Sequence, residues 1–334
     1  MRRKIGVLGA GTWGTALTIQ LAENGNDVSL WSKLPKEIEA LDSNRANIPN
    51  LSGAVLPDSV KLTTDLEAIC KDKDILVCAV ASPFVRSVAH SMKDLVPEGQ
   101  VIVNVAKGIE ESTLMTLTGV ISEEMPSAKV AVLSGPSHAE EVSRSIPTAI
   151  VVGSADKETA LLIQDTFMND NFRIYISPDV TGIELGGSLK NVIALAAGVV
   201  DGLALGDNTK AALMTRGMAE ISRLGVAMGG SLETFLGLSG MGDLIVTCTS
   251  NHSRNHNAGY LIGKGYTMQA AMDEVKQIVE GVYSAKAALF LSQKYHVSMP
   301  IVSEVNAVLF DGKLAKDALN DLFTRGRAEE INWD

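Results

Sequence analysis

Lys4-Ile5-Gly6-Val7-Leu8-Gly9-Ala10-Gly11-Thr12-Trp13-Gly14 is an apolar run that ends in Gly-x-Gly-x-x-Gly, and a helix-like segment from Thr15 to Asn24 follows at once. A dinucleotide phosphate site needs this order of strand, glycine turn and helix. Gly9 permits the tight turn, Gly11 lets the backbone approach a pyrophosphate, and Gly14 allows the helix to pack close to the strand. The helix N-terminus then presents unpaired N–H groups and the positive end of its dipole to the phosphates. Glycine spacing alone is a weak signal, and its setting between strand and helix makes it specific. A ligand-free turn accounts for it poorly, because the glycines cost backbone entropy without adding packing.

The second strand is expected at Asp27–Trp31. An NAD-selective site usually carries an acid at the end of this strand, bound to the ribose 2′-hydroxyl. Here Trp31-Ser32-Lys33 is followed by no acid until Glu37. A hydroxyl and a cation suit a 2′-phosphate, so NADP is expected to be accepted; the alternative leaves Lys33 as a solvated loop charge. Asn44–Pro57 reads as a polar loop and Thr63–Ile69 as a short helix. Asp74–Val80 is a near-continuous apolar run, suited to a parallel strand covered on both faces. Pro83 can begin the next helix, since a proline at the first helical position loses no needed N–H. Gln100–Asn104 and Lys129–Leu133 read as strands and Thr113–Glu124 as a helix. Thr148–Val152, a helix from about Ala155, and Phe172–Ile176 form a final β-α-β pair.

Doubly wound sheets bind ligands beyond the C-terminal ends of their strands. Val105-Ala106-Lys107-Gly108-Ile109 leaves such an end, so Lys107 is placed to reach substrate or cofactor. Ser134-Gly135-Pro136-Ser137-His138-Ala139-Glu140 leaves another, where Gly135 offers a backbone N–H and Ser137 a hydroxyl to a polar ligand. His138 invites an acid–base role, but a lone loop histidine is more often structural.

Near Pro178 the pattern changes from strands to helices. Residues 1–178 are therefore expected to form a Rossmann-like dinucleotide-binding domain and 179–334 an all-helical substrate-binding domain. Gly186–Gly198 reads as a buried helix of small residues with one conspicuous polar pair, Lys190-Asn191. A lysine inside an apolar helix is costly unless paired or functional; the alternative is a stem that reaches out to water. Asp207-Asn208-Thr209 is expected to cap a helix running to Arg223, with Lys210 and Arg216 structural or on its outer face. Glycines crowd before Asp243, so backbone or ligand must pass close. Asn251-His252-Ser253-Arg254-Asn255-His256-Asn257 is a dense donor loop whose guanidinium suits a phosphate, which arginine binds bidentately. His252 and His256 have helical metal-ligand spacing but no evident third ligand, so no metal is expected. Beyond Glu280-Gly281 the remainder reads as amphipathic helices.

The chain has 334 residues, enough for two domains, with 46% hydrophobic and 20% charged residues. A net charge of −10 argues against general binding to nucleic acid or an anionic membrane. An anionic ligand must then meet a local cluster of cations. Cys70, Cys78 and Cys248 are an odd set without metal-type spacing, which points to a reducing compartment. Arg2-Arg3-Lys4 precedes an apolar run that glycines interrupt, so export is not expected. No apolar stretch is read as approaching the ~20 residues of a membrane span.

Taken together, these stretches resemble the bacterial-type NAD(P)-dependent glycerol-3-phosphate dehydrogenase family. The likeness is carried by Gly9-Ala10-Gly11-Thr12-Trp13-Gly14, Ala106-Lys107-Gly108-Ile109, Ser134–Ala139, Gly187-Ser188-Leu189-Lys190-Asn191, Gly206–Leu213, Gly242-Asp243-Leu244, Ser253-Arg254-Asn255 and Val279-Glu280-Gly281. It implies reversible hydride transfer between dihydroxyacetone phosphate and sn-glycerol 3-phosphate, feeding glycerophospholipid synthesis, in a cytoplasmic homodimer. It carries proton transfer to Lys190 and substrate binding to Lys107, Gly135, Ser137, Lys190, Asp243, Ser253, Arg254 and Asn255. Binding of NADP or NAD falls to Gly9, Gly11, Thr12, Trp13, Gly14, Ser32, Lys33, Lys107, Ala139, Arg254, Ile278 and Glu280. Thr12 stands where many relatives have serine, and Lys33 where many have arginine or histidine; both changes bear only on cofactor preference.

Overall fold

The structure is a computed structural model that describes residues 2–45 and 51–326. Part of the loop expected at 44–57 and the last residues of the C-terminal helical region lie outside the described residues. The first half is built on strands β1 (Lys4–Leu8), β2 (Asp27–Trp31), β3 (Lys61–Thr63), β4 (Ile75–Cys78), β5 (Val101–Asn104), β6 (Lys129–Ser134), β7 (Thr148–Gly153) and β8 (Phe172–Ser177). They form one eight-stranded sheet in the order β3-β2-β1-β4-β5-β6-β7-β8. Strands β4 and β5 are buried at every residue, as a parallel sheet covered on both faces requires. Around it lie α1 (Thr12–Glu23), α2 (Pro35–Ser43), α3 (Leu66–Cys70), α4 (Val85–Met92), α5 (Leu117–Glu124), α6 (Ala139–Val142) and α7 (Lys157–Phe167).

Two local expectations are corrected. Helix α1 begins at Thr12 rather than Thr15, because the chain turns helical directly after Gly11. The Cβ of any other residue at Gly14 would lie 2.0 Å from the Gly9 carbonyl oxygen, so that glycine serves packing. Helix α5 begins at Leu117 rather than Thr113, because Ile109 bridges Thr116 and folds the segment between them into a loop. The final β-α-β pair forms, but β7 runs antiparallel to β6. A parallel return needs a crossover of about a dozen or more residues, usually helical. The segment after β6 contains only the four-residue α6 and is spent on the ligand edge instead.

Every described element after β8 is helical. These are α8 (Val180–Gly202), α9 (Asp207–Ala227), α10 (Leu232–Leu236), α11 (Asp243–Thr249), α12 (Arg254–Gly263), α13 (Met268–Val275), α14 (Glu280–Lys294), α15 (Pro300–Phe310) and α16 (Ala315–Thr324). Gly206, at φ +81°, is the residue before α9, so Asp207 lies inside the helix and gives no side-chain cap; the helix also runs on past Arg223.

Helix α8 is the axis of this half. Asp179 caps it by accepting from the Gly182 N–H at 2.8 Å. Contrary to the sequence reading, α8 is long and apolar enough to cross a membrane, but 89% of its most apolar window is buried inside the fold. Its small residues have a geometric purpose. A Cβ at Gly198 would fall 2.0 Å from the His256 carbonyl oxygen, and one at Gly259 would fall 1.9 Å from that of Leu195. Helices α8 and α12 therefore touch backbone to backbone, and that contact brings the start of α12 beside Lys190.

Candidate active site

One cleft of about 900 Å³ opens at the C-terminal edge of the sheet, against α8, α11 and α12. At one end, Gly9 adopts φ +113° and donates its N–H to the Trp31 carbonyl at 2.8 Å, tying the turn to the end of β2. Space above Gly11 is open, and no side chain caps the first turn of α1. Uncapped N–H groups beneath an open glycine fit a pyrophosphate. Gly9, Gly11, Thr12, Trp13, Ser32, Lys33, Ala139, Ile278 and Glu280 line the cleft, and Gly14 does not.

Deeper in, the two candidate lysines meet on one carboxylate. Lys190 Nζ lies 2.8 Å from Asp243 Oδ1, and Lys107 Nζ lies 2.6 Å from Asp243 Oδ2. Lys190 and Asp243 are 5% and 1% exposed, so the snorkelling alternative for Lys190 is excluded. Lys190 also donates to Thr247 Oγ1 at 2.5 Å, while the Thr247 hydroxyl donates to the Asp243 carbonyl at 2.6 Å. Burial pushes the Lys190 ammonium down to about 8; Asp243 opposes that shift and Lys107 adds to it.

Among the glycines before Asp243, Gly240 serves backbone approach. Leu238–Gly242 is a single π-turn in which a Cβ at Gly240 would fall 2.0 Å from the Phe235 carbonyl oxygen. Asp243 follows directly as the first residue of α11. Gly135 has a positioning part as well. It is absent from the cleft lining, and its carbonyl accepts from Lys107 Nζ at 3.1 Å and from Ser137 Oγ at 2.9 Å. Gly135 thus positions Lys107 through its carbonyl.

Within the donor loop the roles divide. Ser253 caps α12 by accepting from the His256 N–H at 3.2 Å. The Asn255 amide donates to Asn191 at 3.0 Å and its carbonyl accepts from Gly281 N–H at 2.8 Å, so it knits α8, α12 and α14 together. Arg254 lines the cleft, is exposed, and has no ion pair among the described residues. It is the free guanidinium that an anionic group would meet. His256 turns away to Asp201 at 2.7 Å, a carboxylate shared with Lys210 at 2.7 Å, and Lys210 is structural as expected. His138 lines the cleft, where burial and then the charge of Lys190 depress its imidazole below the usual histidine range. Among the described residues its ring nitrogens meet only the Val246 carbonyl, at 3.4 Å, and no carboxylate.

Glu280 accepts from the Ser82 N–H at 3.1 Å and from the Ser82 hydroxyl. Burial holds its carboxyl above the usual range. Sequence reasoning left Thr247 out of the site and gave Asn191 no role in it. Thr247 lies four residues after Asp243 on α11, a helical spacing that would have revealed it. Six cations line the cleft: Lys33, Lys36, Lys107, Lys190, Arg254 and Lys276. This is the local positive cluster that a chain of net charge −10 needs for an anionic ligand.

Comparison with known proteins agrees with this geometry. Residues 4–160 match the N-terminal part of NAD-dependent glycerol-3-phosphate dehydrogenase, and residues 179–320 match its C-terminal part. A glycerol-3-phosphate dehydrogenase [NAD(P)+] from Agathobacter rectalis is 59% identical over 333 residues, covering 99% of both chains. One from Fusobacterium nucleatum is 55% identical, again covering 99% of both. The crystal structure of glycerol-3-phosphate dehydrogenase from Coxiella burnetii superposes with a TM-score of 0.90 at 35% identity, over 97% of this chain and 99% of that one. An open glycine turn, two lysines on one buried aspartate and an arginine without an ion pair among the described residues are thus found in a chain that belongs to the NAD(P)-dependent glycerol-3-phosphate dehydrogenase family.

Proposed function

We propose that the cleft reduces dihydroxyacetone phosphate reversibly to sn-glycerol 3-phosphate, with Lys190 carrying the proton and Arg254 anchoring the phosphate. The observation that carries this reading is the Lys190–Asp243–Lys107 chain at the inner end of a cleft that also holds Arg254 and the glycine turn. A nicotinamide dinucleotide held by Gly9, Gly11, Thr12, Trp13 and Ala139 supplies or accepts the hydride.

Two ammonium groups on one carboxylate leave a net charge of +1. That charge polarises a carbonyl oxygen and stabilises the negative charge it gains in the transition state. Lys190 then donates a proton to the oxygen, and takes one back in the oxidative direction. Asp243 and Thr247 fix its ammonium, and Gly135 fixes that of Lys107. Arg254 binds at the remote phosphate, so its binding energy is available to orient the reacting carbon.

Residues 1–178 act as the cofactor half and 179–334 as the substrate half. The reading extends to a cytoplasmic homodimer that supplies glycerol 3-phosphate for glycerophospholipids; light scattering on the purified chain tests the assembly. The activity itself is tested by following NADH and NADPH oxidation with dihydroxyacetone phosphate. Arg254→Ala should raise its KM at least tenfold, through loss of a charge-assisted bidentate pair. The effect on unphosphorylated dihydroxyacetone should be small. Equal losses on both substrates would remove the phosphate role from Arg254, and cofactor affinity measured in parallel separates any contact it makes there.

A further inference from the structure

The end of β2 carries no acid, yet an acid reaches it. Pro35 is the first residue of α2, and Glu37 lies in that helix's first turn, where a carboxylate is favoured by the helix dipole. The turn folds Glu37 back onto Ser32. The Leu34 N–H donates to Ser32 Oγ at 3.1 Å, and Ser32 Oγ donates to Glu37 Oε2 at 2.5 Å. Two consequences follow. The single hydrogen of the Ser32 hydroxyl is committed to Glu37, so it is not free to donate to a phosphate. The other carboxylate oxygen, Oε1, has no hydrogen-bond partner among the described residues, and Glu37 lines the cleft beside Ser32, Lys33 and Lys36.

We propose that Glu37 sets cofactor preference, accepting a hydrogen bond from the adenosine ribose 2′-hydroxyl and repelling a 2′-phosphate, so that NAD(H) binds more tightly than NADP(H). This rests on the cofactor half of the reading above. An acid five residues past Ser32 thus takes the place that an acid at the strand end takes in other NAD sites. Lys33 and Lys36 line the same part of the cleft and soften the discrimination, so NADP is disfavoured but not excluded.

The competing account is purely structural: Glu37 closes a capping relay through Ser32 onto the Leu34 N–H and does nothing else. Glu37→Gln separates the two. Glutamine still accepts from Ser32, so the relay survives, but the negative charge is gone. Binding is measured without substrate by titrating NAD+, NADP+, 5′-AMP and adenosine 2′,5′-bisphosphate into wild type and variant, using calorimetry or tryptophan fluorescence. Wild type should prefer NAD+ and 5′-AMP. In Glu37→Gln the ratio of NADP+ to NAD+ affinity should rise at least tenfold, with the same shift for the two adenosine fragments and an unchanged Tm. An unmoved ratio, or equal weakening of all four ligands, overturns the proposal. A shifted ratio in a chain that fails to turn over dihydroxyacetone phosphate supports the role of Glu37 and sinks the substrate reading instead.

Discussion

Lys190 is a buried cation that the fold keeps because Asp243 pairs with it. A free lysine has a pKa of about 10.4 and is a poor base near neutrality. Burial brings Lys190 to about 8, which places its titration close to working pH. The sign of the pH dependence follows. Reduction needs the ammonium, so turnover should fall as pH rises through about 8; oxidation needs the free amine, so it should rise through the same region. Lys107→Met should move both limbs upward, because it removes a repelling charge and leaves Asp243 to Lys190 alone. Lys190→Met keeps most of the apolar stem and loses the charge. It should lower turnover by roughly 10²–10⁴ while cofactor binding survives. A folded Met variant with near-normal turnover would exclude Lys190 as the proton carrier. Its conspicuousness came from one residue type in the wrong company, a lysine among Gly and Ala, and that is legible without coordinates. The sharing of Asp243 by two lysines is not, since residues 107, 190 and 243 are joined only by tertiary folding.

Among the elements, strands were more legible than helix ends. The apolar runs of β1, β2 and β4 announce themselves because a strand buried on both faces tolerates few polar residues. Helix starts were set by contacts that the local sequence does not contain, such as the Ile109–Thr116 bridge that delays α5. Helix α8 shows the same division. Its composition marks a buried helix, but the sequence does not say that α12 is the partner. That contact makes a prediction. At Gly259 an added methyl would meet Leu195 oxygen at 1.9 Å, which is backbone and cannot swing aside. Gly259→Ala should therefore separate α12 from α8, at an overpacking cost of about 1–3 kcal/mol. The urea midpoint should fall. KM for dihydroxyacetone phosphate should rise too, because α12 opens with Arg254. A drop in stability with KM unchanged would mean that Arg254 is positioned by its loop and not by the helix contact.

Across the whole molecule, the sheet and the helices are joined by charged and polar links as well as by a small apolar cluster of Val132, Val151 and Ile183. Lys107 of the sheet half reaches Asp243 of the helical half, and Ser82 reaches Glu280. A third link has both of its ends buried. Glu184 of α8, 5% exposed, accepts from the Thr118 N–H at 2.9 Å, from the Thr118 hydroxyl, and from Asn104 Nδ2 at 3.4 Å. Asn104 also exchanges hydrogen bonds with Ala106, so the same pin steadies the strand end that delivers Lys107. Burial holds the Glu184 carboxyl above the usual glutamate range. Removing it by Glu184→Ala leaves several buried donors without a partner, each worth about 1–3 kcal/mol. Wild type should unfold in one calorimetric transition, with van't Hoff and calorimetric enthalpies in agreement. The alanine variant should melt lower, and its calorimetric enthalpy should exceed the van't Hoff value as the two halves begin to unfold separately. An unchanged enthalpy ratio would show that the remaining contacts suffice to couple the halves. An unchanged Tm as well would mean that Glu184 contributes nothing to holding the Lys107 strand end against α8.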